Sequence, residues 1–125
     1  MKRTVLLSFA AFALATGGAL AQTEAPSGIW SRDDGKARVR LHPCGEAICA
    51  TNVWIGDTSN GEAVGDKLIM KLKPKSAGVL SGEAYDPKRK LTFSMTMTVA
   101  KNTMSTRGCI VGGILCKNVR WTPAK

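Results

Sequence analysis

From Leu91 to Val99 the chain alternates without a fault: Leu91, Phe93, Met95, Met97 and Val99 are apolar, and Thr92, Ser94, Thr96 and Thr98 between them carry hydroxyls. A period of two sends successive side chains to opposite faces, so this segment is a β-strand with one face buried and one wet. One such strand is not stable alone, and the remaining chain must supply its sheet partners. Ala37, Val39 and Leu41 alternate with Lys36, Arg38, Arg40 and His42 in the same way, and no segment shows a helical period of comparable quality.

Turn chemistry punctuates the rest. Asp33-Asp34-Gly35, the stretch at 43–47, the loop at 56–66 with Asn60-Gly61, the stretch at 74–78, Asp86-Pro87, Lys101-Asn102 and Gly112-Gly113 each favour a reversal. Between them lie about eight expected strands, at 28–32, 36–42, 48–55, 67–73, 79–85, 91–99, 103–110 and 115–121. Short, evenly spaced strands with short connections predict an all-β antiparallel meander, and closing an up-and-down barrel of about eight strands removes its two exposed edges.

The N-terminus has the three parts of an export leader: Lys2 and Arg3, an apolar stretch over residues 5–15, and the small residues Gly17, Gly18, Ala19 and Ala21. Ala19-Leu20-Ala21 predicts cleavage before Gln22, giving a signal peptide at 1–21 and one domain at 22–125; the competing reading is a retained N-terminal anchor. No apolar run of membrane-spanning length follows, so the chain is not expected to be transmembrane after cleavage. The expected location is the periplasm or the medium of a bacterium. The chain has 18 Lys+Arg against 9 Asp+Glu, and losing Lys2 and Arg3 leaves a domain of formal charge +7.

All four cysteines, Cys44, Cys49, Cys109 and Cys116, lie beyond the leader, and an even number in a small exported chain reads as disulfides. Four-cysteine zinc sites usually contain C-x2-C pairs, and the gaps here hold four and six residues, so no metal is expected. Three pairings are possible. Strand parity selects one, because it puts Cys44 and Cys49 on the outer face of one hairpin and Cys109 and Cys116 on the outer face of the last, at opposite barrel ends. Cys44 with Cys49 and Cys109 with Cys116 are therefore the expected bridges.

The same parity predicts an interior that includes Asn52, Trp54, Met70 and Phe93, together with Met95, Met97 and Met104. Methionines adapt to irregular apolar ligands and fill ordinary cores equally well, so this interior is either packed or a pocket for one small apolar or amphipathic ligand. Arg38, Arg40, Lys71 and Lys73 fall on the outer face, where a basic field attracts anionic envelope lipid or glycan. No aromatic residue is interleaved with them, so a nucleic-acid platform lacks its stacking surface. Catalysis is not expected: His42 is the only imidazole, no G-x-S-x-G elbow occurs, and paired cysteines offer no thiolate. No cofactor motif is present.

Gly82-Glu83-Ala84-Tyr85-Asp86-Pro87, the run Arg107-Gly108-Cys109 through Cys116-Lys117, and Val119-Arg120-Trp121-Thr122-Pro123 together resemble the bacterial exported family known as domain of unknown function 2147. Gly28-Ile29-Trp30, Asp34-Gly35-Lys36 and Cys44-Gly45 before Ile48-Cys49 match its cysteine-containing branch. The resemblance spans nearly the whole domain and implies a lipocalin-like fold with no established activity. The Asp and Asn-Pro that many members carry in the central loop are replaced here by Gly56-Asp57-Thr58-Ser59-Asn60-Gly61. Gly28-x-Trp30 also resembles the opening motif of lipocalins, which implies that Trp30 plugs one barrel end under a basic residue of the last strand, here Arg120. The expected function is binding of a small ligand; an envelope interaction or inhibitor module, or a surface binder of anionic lipid or glycan around a packed core, is the alternative.

Overall fold

Each expected strand is found, with some ends shifted by one to three residues: β1 (Gly28–Arg32), β2 (Ala37–Cys44), β3 (Ala47–Ile55), β4 (Lys67–Ser76), β5 (Val79–Asp86), β6 (Leu91–Val99), β7 (Met104–Ile110) and β8 (Leu115–Pro123). The computed structural model describes residues 25–110 and 112–124, so the leader expected at 1–21 lies outside the described residues. Every strand pairs antiparallel with the next, and β1 closes on β8 through Trp30↔Pro123, Ser31↔Thr122 and Arg32↔Trp121. The result is the closed eight-stranded up-and-down barrel that the meander predicts, with no unpaired sheet edge.

Consecutive connections alternate between the two ends. The β1–β2, β3–β4, β5–β6 and β7–β8 connections share one end, the mouth; the other three connections share the opposite end with the chain termini of the barrel. Both disulfides form as expected, Cys44 with Cys49 across the β2–β3 hairpin and Cys109 with Cys116 across the β7–β8 hairpin. Cys109 stands directly opposite Cys116 in the ladder, with the Cα atoms 4.0 Å apart. The two bridges therefore staple opposite ends of the barrel.

Two irregularities bend the ladder. Val39 pairs with Asn52 and Arg38 with Trp54, which leaves Val53 as an extra residue on β3. Such a bulge increases the local bend and re-aims the side chains beyond it. In β4 the register shifts between Pro74 and Ser76, and β4 runs three residues past its expected end at Lys73. Proline has no N–H to give to a ladder, so its tolerated place in a sheet is at such a bulge.

The inner face is apolar. Trp30, Val39, Leu41, Met70, Leu80, Ala84, Met95, Met97 and Met104 form one buried cluster, with Phe93, Leu68, Leu72 and Trp121 packed against it. Trp30 is 8% exposed, and its indole Nε1 donates to the Ser27 carbonyl at 3.1 Å. Trp121 donates to the Thr106 hydroxyl at 3.1 Å, so both interior indoles have their N–H satisfied.

Candidate functional site

Residues from all eight strands border a cavity of about 370 Å³ inside the barrel. Its apolar lining includes Val39 and Leu41 from β2, Met70 from β4, Phe93, Met95 and Met97 from β6, and Met104 from β7. A second cavity of about 490 Å³ lies beside it, toward the β7–β8 hairpin, where Gly108, Ile110, Leu115 and Val119 join the wall. Leu68, Phe93, Met95, Thr106, Lys117 and Trp121 line both, so the two are neighbouring parts of one interior. Of the interior residues expected from parity, Asn52, Met70, Phe93, Met95, Met97 and Met104 all border this space.

Trp54 does not, and here the sequence reading is corrected. The Val53 bulge breaks the alternation, so Trp54 emerges on the outer face opposite Arg38, 44% exposed, with the guanidinium carbon 5.4 Å from the ring centroid. Asn52, one residue before the bulge, keeps its inward position. Its Nδ2 donates to the Ala63 carbonyl at 3.2 Å, its backbone N–H to the Asp66 carbonyl, and its own carbonyl accepts from Gly65. Asn52 thus ties down the β3–β4 loop, residues 56–66, in addition to lining the cavity.

That loop lies at the mouth and is fastened from three sides. Arg32, at the end of β1, donates to Glu62 at 2.9 Å and to Asp34 at 2.8 Å. Lys88, in the β5–β6 turn, reaches the Gly61 carbonyl at 3.0 Å and forms an ion pair with Asp66 at 3.1 Å. Burial alone would raise the Asp66 carboxyl, but the Lys88 ammonium and the Ala63 N–H outweigh it and hold the group below its ordinary range. Arg89 pairs with Asp86 at 2.9 Å on the same rim. These ion pairs join residues up to 30 positions apart, and the sequence carried no signal for them.

The lipocalin-type plug is corrected in part. Trp30 belongs to the buried core, but Arg120 is exposed on the outer face opposite Ser105. No bulge interrupts β7–β8, so strand alternation keeps Arg120 outside, and among the described residues the one cation over an aromatic ring is Arg38 over Trp54. Arg38, Arg40, Lys71 and Lys73 are all exposed, as expected, on β2 and β4 with β3 between them. His42 lies on the outer face, with Nε2 3.1 Å from the Thr51 hydroxyl.

The model of a family described as an uncharacterized protein conserved in bacteria, DUF2147, matches residues 28–123, from the first residue of β1 to the last of β8. The chain belongs to this family. No curated protein and no solved structure matches the chain. A bacterial family whose member here carries two disulfides is consistent with an exported protein.

Proposed function

We propose that this DUF2147 protein is an exported carrier or sensor that binds one small apolar or amphipathic molecule inside its barrel, in the periplasm or the medium. The observation that supports this reading is the interior itself: about 370 Å³ bordered by methionine, leucine and phenylalanine under a polar mouth, within the roughly 300–1,000 Å³ typical of small-molecule sites. Thioethers suit such a role because they adapt to irregular apolar shapes. The loop at 56–66, held by Arg32, Asn52 and Lys88, would preorganise the entrance and keep the entropic cost of ordering it out of the binding step.

Native mass spectrometry on the protein purified from its own host, followed by denaturing extraction, tests this. A defined added mass that is released on unfolding is the expected result. A bare polypeptide mass, combined with no binding of a neutral apolar dye such as Nile red, would refute the reading.

A further inference from the structure

We propose that the ligand of this interior is an amphipathic anion, an apolar chain ending in a carboxylate, and that Lys117 receives its charge. This rests on the ligand-binding reading above and gives it a chemical class.

The argument begins with parity on β8. Val119 and Trp121 line the interior, and Lys117 shares their face, opposite Gly108 of β7. Lys117 borders both cavities, which makes it the cation placed between the methionine-lined space and the space beside the β7–β8 hairpin. Gly108 opposite it has no side chain, and the Phe93 ring occupies that place instead: a Cβ on Gly108 would stand 2.9 Å from the ring. Lys117 itself is solvent-exposed and borders this apolar wall.

The charges around it are already matched. Glu62 is paired with Arg32, Asp66 with Lys88 and Asp86 with Arg89, so every carboxylate bordering the cavity has its own cation. Lys117 takes part in no ion pair and no side-chain hydrogen bond among the described residues. Lys67, the other unpaired cation of the lining, stands opposite Thr51, whose hydroxyl meets His42 on the outer face. The inner face therefore carries one uncompensated positive charge at the junction of two apolar spaces.

A neutral apolar ligand would leave that ammonium with solvent alone, while a carboxylate gives it a charge-assisted hydrogen bond at the edge of an apolar space. A short anion would gain the charge and forfeit the apolar contacts. An apolar chain with one anionic end uses both features.

Isothermal titration calorimetry with decanoate, decanol and acetate, on the oxidised protein and on Lys117→Met and Lys117→Arg, decides the matter. We expect decanoate to bind up to about fivefold more tightly than decanol, as an exposed ion pair allows, and acetate to bind weakly. In Lys117→Met the preference for decanoate over decanol collapses while decanol binding stays; in Lys117→Arg the preference survives. Thermal melts verify the fold of each variant, and Lys117→Gln replaces the methionine variant if it fails to fold. Equal affinity for decanoate and decanol, or a preference untouched by loss of the ammonium, overturns the assignment of Lys117 while leaving an apolar pocket standing. Tight acetate binding also overturns it, by showing a simple anion site. If neither decanoate nor decanol binds, the ligand-binding reading itself fails.

Discussion

Gly82→Ala is a sharp test of how tightly β4 and β5 are coiled against each other. Gly82 stands between Leu72 of β4 and Met95 of β6, on the inner face of the barrel. An added Cβ would overlap the Lys71 carbonyl oxygen and come within 3.0 Å of its carbon and 3.2 Å of the Leu72 Cα. All three are backbone atoms fixed by the ladder, so no rotamer change relieves the overlap. Where an alanine fits, replacing glycine stabilises a protein by about 0.4–1 kcal/mol through the unfolded chain. Forcing extra volume into a filled site costs about 1–3 kcal/mol and sometimes more. Here the second effect dominates, and we expect a net loss of about 2 kcal/mol. For a domain of this size that corresponds to a fall in Tm on the order of 10 °C, read by circular dichroism with both disulfides intact. An unchanged or raised Tm would mean that β4 and β5 are further apart than the structure places them, and the reasoning would be refuted.

Gly108→Ala makes a useful contrast, because its obstacle is the Phe93 ring at 2.9 Å, a side chain that can turn away. A stability loss under about 1 kcal/mol is expected, together with a changed affinity for decanol, since Phe93 borders both cavities. Replacing either cysteine pair by serine should cost about 2 kcal/mol in urea unfolding, because each bridge closes a short loop; a reductant should bring the native protein down by both amounts. Acid should loosen the mouth. The Asp66 carboxyl is held below its ordinary value of 3.8, so its contribution is complete above that value and is lost as pH falls further. The pair is partly exposed, Lys88 by 47%, so about 1 kcal/mol at most is at stake. Stability measured from about pH 5 down to pH 2 should fall less steeply in Asp66→Asn than in the native chain, and equal slopes would remove Asp66 from the clasp.

The barrel was legible because each strand declares itself locally. Leu91–Val99 and its neighbours alternate, and Asx- and Gly-rich turns separate them, so strand number, order and both disulfides follow from parity and connection length. What escaped is non-local. The bond from Arg32 to Glu62 and the pair of Lys88 with Asp66 depend on how the 56–66 loop folds back over the mouth, and no periodicity encodes that. Lys117 was within reach. Val119 reads as an interior residue, and two positions earlier on the same strand is the same face, so alternation along the last strand already places Lys117 beside it.

The bulge at Val53 is where local reading and structure part, and it bears on whether the barrel is hollow. Strict alternation from Asn52 would turn the Trp54 indole inward, into the space now bordered by Met70 and Phe93, where a side chain of that size would occupy much of about 370 Å³. With one extra residue on β3, Asn52 stays inside to hold the loop and Trp54 leaves for the outer face beside Arg38. Deleting Val53 distinguishes the two geometries. If Val53 is the bulged residue, its removal leaves Asn52 opposite Val39 and Trp54 opposite Arg38, so every face is preserved at a cost of about 1–2 kcal/mol. If instead the strand were regular, the same deletion would invert every side chain beyond it. Trp54 is 44% exposed, whereas Trp30 is 8% exposed. Acrylamide quenching of the deletion variant should therefore match the native protein, and its melt should remain cooperative. A gain in quenching over the native protein, or loss of the cooperative melt, would show that the strand is regular and that the hollow interior does not depend on this bulge.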